Sequence, residues 1–396
     1  MWLFLACVCD VSNDAPEWYP DVLPIVERRC ENCHTPELNR ISFSDASGTV
    51  ALAPAMAAAI RAGTMPPAAP DPECRGYMYD EELEFTDEER QTILDWADGG
   101  APLGDADAAA HAEPLDIVPE PDVVLEVPVE HVYDFTENEE YLWCFDTQLD
   151  IDEDIWLTSI TVDPDDAPHV HHVVLFQVLE GESVDHYEGG TTCDIYGEFP
   201  RHIDAGWAGG AWPVTFPEGT GLKVPAGTTF VFQVHFEGKA EDSGGSARPS
   251  AGLTYSTMPE HELIVLDEPG PDFVVPADDD GFSLDLAYTW TGKDAFHAVT
   301  AGGHMHQLGS ALTMNHEGPA GSECMIDSTP WDFHRQVFLT WDEPVVYEHG
   351  DEYGWRCTWD NTSNNPFQYN SPPVDIEYGL DVHQEMCSAA TFGWTK

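Results

Sequence analysis

Cys30-Glu31-Asn32-Cys33-His34 sets two thiols three positions apart, with an imidazole directly after the second. That spacing lets both thiols add across the vinyl groups of one haem while the histidine lies beneath the iron as its proximal ligand. A redox disulfide would need a thioredoxin-like βαβ setting, and a zinc site a second cysteine pair nearby; neither accompanies these thiols. A methionine commonly supplies the sixth ligand of such an iron and raises its potential. Met65, followed by Pro66 and Pro67 after a helix-like run over 51–61, is the candidate, with Met78 as the fallback.

Imidazoles gather at three further places. His171 and His172 follow Pro168-His169-Val170 and run into the apolar Val173-Val174-Leu175-Phe176. His235 lies in a stretch whose alternation sends Phe230, Phe232, Val234 and Phe236 to one face and Gln233 and His235 to the other, away from the greasy side. Gly303-His304-Met305-His306 places two imidazoles on one face of a strand, where they chelate one ion. Thiolate-free histidine sets suit copper, zinc, iron or nickel, and spacing does not choose among them; each set also reads as surface or core histidines with their hydrogen bonds met. No H-E-x-x-H stretch accompanies them, which disfavours a zinc hydrolase. His169, His186, His202, His261, His297, His316, His349 and His383 read as ordinary satisfied histidines.

Two kinds of element must position these groups. Helix-period segments cluster in the first hundred residues. The segment 21–29, with Val22, Leu23 and Val26 on one side, delivers the cysteine pair. Thr86-Asp87-Glu88-Glu89 is a capping box opening a helix with Ile93, Leu94 and Ala97 as its stripe and Gly99-Gly100 as its stop. Residues 106–125, rich in Ala, Asp, Glu and Pro, read as a linker. Beyond them short Val/Thr/Phe/Trp-rich runs alternate with Pro, Gly and Asp turns, the pattern of β structure. At 396 residues the chain exceeds one ordinary core, so two or three domains are expected.

The charge balance is 14 basic against 74 acidic residues, a formal net of −60. Such a surface repels nucleic acid and anionic membranes, and reads as the solvated acidic coat of a protein adapted to high salt. The acidic run 278–280 lacks the ligand spacing of an EF-hand loop. Ten cysteines point to an oxidising compartment or to cofactors. The apolar opening is too short to span a bilayer; residues 1–15 read as a residual leader, in which Leu5-Ala6-Cys7 loosely approximates a lipoprotein cleavage box and makes Cys7 a candidate lipid anchor. No other stretch reads as a transmembrane helix, and the expected location is outside the cytoplasm, in a bacterial periplasm or at the cell surface.

Residues 16–105, down to the closing Trp96-Ala97-Asp98-Gly99-Gly100-Ala101-Pro102, resemble the small c-type cytochrome domains fused to bacterial oxidoreductases. Six further pieces follow in order. They are Tyr141-Leu142-Trp143-Cys144-Phe145, Val170-His171-His172-Val173-Val174-Leu175-Phe176, Phe232-Gln233-Val234-His235-Phe236, His304-Met305-His306-Gln307-Leu308-Gly309, Trp355-Arg356-Cys357 and Gln384-Glu385-Met386-Cys387. With them the chain from about 126 to its end resembles the copper type II, ascorbate-dependent monooxygenases, the family of peptidylglycine α-hydroxylating and dopamine β-monooxygenases. The fold class implied is multidomain: a small all-α cytochrome c domain, then two all-β sandwich (jelly-roll-like) copper domains over 126–265 and 266–396. By the same resemblance His171, His172 and His235 bind an electron-supplying copper, with Gln233 beside them, and His304, His306 and Met386 bind the copper at which O2 is activated. It also implies the disulfides Cys144–Cys193 and Cys357–Cys387, and leaves Cys74 and Cys324 without a partner.

The function so implied is hydroxylation of a C–H bond of a small substrate with O2, electrons passing from an external donor through the fused haem. The alternative is a non-catalytic copper and haem protein, for electron transfer or copper handling, on the same scaffold. Where the peptide-amidating member holds its substrate with an arginine before the H-x-H and an Asn and Tyr after the Met-Cys, this chain has Gly302, Ser388 and Ala390. Peptide amidation is therefore not expected, and no residue nominates an amine site.

Overall fold

A computed structural model of the chain describes residues 15–396 apart from 32, 35–40, 81–83, 114–116, 118, 138–139, 167, 180–181, 183, 185–188, 194–200, 210, 269, 334, 380 and 382, and apart from the side chains of 201–204 and 267. Cys7, nearly all of the leader, His186 and the side chain of His202 lie outside the described residues. The chain divides into two compact units, one made of residues up to 36 with 41–66 and 85–114, the other of 37–40, 67–84 and 115–396.

In the smaller unit the helices Leu23–Arg29, Ala46–Ala62 and Asp87–Asp98 enclose Trp18, Val22, Val26, Ile60, Ile93 and Trp96. Each start has a local cause. The Asp45 carboxylate accepts the Gly48 N–H at 2.6 Å, and Thr86 and Glu89 exchange the two bonds of a capping box. Gly63 ends the middle helix at φ 70°, a left-handed conformation that glycine adopts at no steric cost.

The expectation of a small all-α cytochrome c domain followed by two all-β sandwich domains is corrected here. The chain is predominantly a β sandwich, 40% strand and 14% helix, with three α-helices among the described residues. The helical signal of the first hundred residues is discontinuous, because 67–84 joins the larger unit. Asp71 N–H donates to the Asp327 carbonyl at 2.7 Å, Met78 N–H to the Thr340 carbonyl at 2.7 Å, and Cys74 is disulfide-bonded to Cys324.

A nine-stranded sheet also draws strands from both sides of residue 265. Its order is Val123–Glu126, Ser250–Ser256, Ile155–Asp163, Thr220–Val224, His261–Glu268, Ser388–Thr395, Phe296–His304 and Leu339–Tyr347, with Val214–Thr215 beside Ile155–Asp163. A five-stranded sheet, ordered Thr191–Thr192, Glu140–Gln148, Thr229–Glu237, Val170–Val178 and Arg201–Ala208, packs Phe230, Phe232, Val234 and Leu175 against Leu157, Leu222, Leu253 and Phe392 of the large sheet. A four-stranded sheet, Ser283–Thr289, Glu352–Trp359, Gly309–Gly318 and Gly321–Ser328, packs Leu312, Met314 and Trp355 against Ala298, Leu339 and Trp341. Two sheets meeting the large one at different stretches make two apolar cores within one unit.

Candidate metal centre

Strand pairing brings the first histidine set together. In the antiparallel ladder of Thr229–Glu237 with Val170–Val178, His235 lies directly opposite His172, and the register then skips so that Phe236 faces Val170. His171 is the extra residue of this bulge. Adjacent residues of a regular strand point to opposite faces; the bulge relaxes that rule and turns both imidazoles to one side. His171 Nδ1 and His172 Nδ1 lie 3.3 Å apart, and ligand atoms of His171, His172 and His235 all fall within 4.8 Å of one another.

The hydrogen bonds of His235 show which of its nitrogens is free. Its Nε2 lies 3.4 Å from Glu140 Oε2, whereas its buried Nδ1 has no hydrogen-bond partner. An unpartnered buried ring nitrogen is costly in a metal-free protein and is what a metal ligand requires. The donor set, three imidazoles with a carboxylate behind one of them, has the chemistry to hold a copper ion.

The second set assembles across another ladder. His304 ends the strand Phe296–His304 opposite Ser388, so Met386 enters two residues before the paired strand. The rings of His304 and His306 lie 5.0 Å apart, and both line one cavity of about 140 Å³ with Met386. Here the bonds fix the opposite nitrogen. His304 Nδ1–H donates to Gln336 Oε1, whose amide is oriented by Nε2–H donating to the Phe333 carbonyl at 2.9 Å. His306 Nδ1–H donates to the Gln384 carbonyl at 3.0 Å. Both Nε2 atoms are thereby left as lone-pair donors, and Met386, whose thioether is a soft donor, lines the same cavity.

The two sets are neighbours. Phe333 stacks on His171 at 4.7 Å and lies 6.2 Å from His306, and His172 lines the same cavity as His304 and His306. Burial, then the repulsion of a second positive charge on His235, His171, His304 and His306, pushes His172 well below the usual imidazole range. His306 is pushed down by burial and by His304, against the bond to Gln384. Burial also lowers His304. Imidazoles held neutral are the form that binds metal.

Behind the second set sits Glu385, 0% exposed. Its carboxylate accepts Leu308 N–H at 2.7 Å, His306 N–H at 3.0 Å and Trp359 Nε1–H at 2.8 Å. Burial pushes its acid constant up to about 7 against these donors. Gln233, 5% exposed, lines the cavity. Cys357 joins Cys387, directly after Met386, and Cys144 joins Cys193.

Most histidines read as ordinary have protein partners. His169 meets Asp166 at 3.0 Å, His316 meets Asp351 at 3.1 Å and His349 meets the Gly292 carbonyl at 3.1 Å, while His261 and His297 stack on Trp394 at 4.5 and 5.1 Å. His383 meets Glu140 at 3.2 Å, so this carboxylate spans His383 and His235.

In the smaller unit Cys30 and Cys33 form no disulfide, unlike the six bridged cysteines. Burial pushes the Cys30 thiol up to about 12, which argues against a reactive redox thiolate. His34 Nδ1–H donates to the Ile41 carbonyl at 3.0 Å and its ring packs on Phe43 at 4.7 Å, leaving Nε2 as the free donor. Two unbridged thiols and an oriented imidazole have the chemistry that covalent haem attachment would use. Met65 is 41% exposed on the loop after the middle helix, and Met78 belongs to the larger unit.

Sequence reasoning did not single out Glu140, Glu385, Gln336 or Phe333. Glu140 directly precedes one quoted motif and Glu385 lies within another, a signal available in principle; Gln336 and Phe333 come from a loop with no local pattern. Three disulfides belong to an oxidising compartment, and among the described residues no helix is long and apolar enough to cross a membrane.

No family model and no curated protein matches the chain. Among solved structures it is similar to the major capsid protein P2 of Bacteriophage PM2, at 7% identity over 69% of this chain and 97% of that one, with a TM-score of 0.28. It is also similar to infectious bursal disease virus VP2, at 10% identity over 72% and 74% of the two chains, with a TM-score of 0.21. Likenesses this weak carry no argument about fold or function.

Proposed function

We propose that the chain is a copper-dependent monooxygenase that hydroxylates a C–H bond of a small molecule with O2. The observation that supports the reading is a pair of donor sets that meet at one cavity: His171, His172 and His235 with ligand atoms within 4.8 Å of one another, of which His172 lines the cavity, and His304 and His306 with Nδ1 engaged, lining it together with Met386.

Copper bound at the two sets supplies one-electron transfer and O2 activation. The protein's own residues do the rest. Glu140 and Gln336 orient His235 and His304 through their second nitrogens, and the Gln384 carbonyl does so for His306. His304, His306 and Met386 would hold the second copper through three protein donors, as sites that bind O2 require. The reaction consumes R–H, O2, two electrons and two protons, and yields R–OH and water. We assign the electrons to an external one-electron donor, passing through a haem held by Cys30, Cys33 and His34, with Met65 as the candidate sixth ligand. Haem attachment of this kind and the disulfides fit export, to a periplasm or cell surface.

The test is copper titration of the metal-free full chain, with the Cu(II) spin signal and the pyridine haemochrome band as readouts. The reading expects two coppers and one haem per chain. Substituting both His171 and His172 by Ala removes one copper, and substituting both His304 and His306 removes the other. Fewer than two coppers in the parent, or loss of neither in the variants, overturns the assignment. Two coppers with no O2 consumed under any one-electron donor overturns the oxygenase in favour of copper handling.

A further inference from the structure

The cavity beside the second histidine set has a chemistry of its own. We propose that it takes a small, uncharged, largely apolar molecule about the size of one six-membered ring. The proposal rests on the reading of this cavity as the substrate site and names the substrate class.

Leu142, Val174, Phe176, Trp207, Val337 and Phe338 form the apolar walls. The polar side chains on the lining are the imidazoles already assigned, two amides, Gln233 and Gln336, and the Ser388 hydroxyl. Of the twenty lining residues none is Asp, Glu, Lys or Arg, in a chain of which 22% is charged. At that composition about four would be expected, so the wall is selectively uncharged among the described residues. In the metal-free chain a carboxylate or ammonium entering it would lose its hydration without gaining a counter-charge from any side chain of the wall, a cost that disfavours ionised ligands.

Size follows from the floor. Gly302 pairs with Ala390 and Gly303 with Ala389, so apart from His304 the two adjacent strands present small residues where they meet the cavity. The resulting volume is about 140 Å³. An apolar cavity of roughly 150 Å³ in another protein admits benzene, which sets the scale. A longer chain or a fused ring system exceeds this space, and one neutral hydroxyl or carbonyl on the ring finds Gln233 or Ser388 as a partner.

The experiment is calorimetric titration of the metal-free full chain with four single-ring probes: toluene, phenol, benzoate and benzylamine. Toluene and phenol are expected to bind at least about 100-fold more tightly than the two ions, the discrimination an uncharged desolvated wall imposes. Ala390→Leu, which fills the floor, is expected to weaken toluene at least about 10-fold, and Phe338→Ala to admit naphthalene, which the parent excludes. Melting curves confirm that each variant is folded; should Ala390→Leu fail to fold, Phe338→Ala carries the test. Equal binding of neutral and ionised probes, or exclusion of naphthalene by folded Phe338→Ala, overturns the proposal. Because the readout needs no copper, the two readings fail separately. Selective toluene binding in a chain that takes up no copper sinks the oxygenase alone, and two bound coppers with unselective probe binding sinks the ligand class alone.

Discussion

Glu385 lends itself to a worked perturbation, because its carboxylate is the shared acceptor for groups from three segments. Leu308 N–H, His306 N–H and Trp359 Nε1–H all donate to it, and the Met386 N–H donates as well. Glu385→Ala removes every acceptor at once. An orphaned buried donor costs about 1–3 kcal/mol, so four cost about 4–8 kcal/mol once partial relaxation is allowed. That approaches the roughly 5–15 kcal/mol that holds an ordinary domain together. Glu385→Gln keeps the shape and one carbonyl oxygen. Placed where Oε2 stands, that oxygen retains His306 and Trp359, while the new amide meets the Leu308 N–H head on, for a loss of about 1–3 kcal/mol. Urea unfolding followed by tryptophan fluorescence measures both. The expected order is parent, then Gln slightly less stable, then Ala with little or no folded state at 25 °C. Copper titration of the Gln variant should show weakened binding at the His304, His306 and Met386 set and an unchanged first site. An Ala variant within about 1 kcal/mol of the parent would refute the accounting, since it would mean these donors find other acceptors.

Three further outcomes follow from the same geometry. Glu140→Gln should weaken copper at His171, His172 and His235 by about 10–100-fold, measured by chelator competition, while leaving the second site alone. His131 has its acid constant lowered by burial to about 4 from an ordinary 6.5. As pH falls from 7 to 5 the unfolded chain therefore takes up a proton that the folded one refuses. Stability drops by up to about 2 kcal/mol, less solvent screening, and no further drop from this residue follows below pH 4; His131→Phe should remove that part of the slope in urea titrations at pH 7 and pH 5. Replacing Cys74 and Cys324 by Ser opens a loop spanning a sequence separation of 250 and should cost about 3–5 kcal/mol in the same assay, with equal stability refuting a structural role for the bridge.

What could be read from the sequence was whatever has a local period. The capping box at Thr86 forms as written, and the alternation around His235 puts Phe230, Phe232, Val234 and Phe236 into one core. The H-x-H pair lines one cavity as well, but not as two residues of one strand face: the strand ends at His304 and His306 lies just beyond it. The architecture escaped because strand order is a long-range property. Nothing within His261–Glu268 announces that it runs parallel to Thr220–Val224 on one side and antiparallel to Ser388–Thr395 on the other, which is what joins strands from both sides of residue 265 into the nine-stranded sheet. Likewise Cys74 sits in a stretch whose own pattern gives no sign of Cys324. The adjacent His171 and His172 were legible as a pair, but not the bulge that turns them together, because a bulge depends on the partner strand's register.

The segment around Met386 shows why residues close in sequence can have unlike burdens yet fail together. Glu385 holds the main-chain N–H groups of His306 and Leu308, Met386 lines the cavity, and Cys387 is bonded to Cys357 on the four-stranded sheet. Ser388 then starts the strand that pairs with His304. Four consecutive residues thus tie a hydrogen-bond acceptor, a soft donor, a covalent cross-link and a strand register to one short backbone. A thioether is a weak ligand and cannot organise the site itself, so its position must be imposed by its neighbours. If that is right, opening the Cys357–Cys387 bridge should loosen copper at the second site more than replacing Met386 by Leu does, since the first frees the whole segment and the second deletes one donor. The opposite order in chelator competition would mean that the thioether, and not the anchored backbone, sets the affinity.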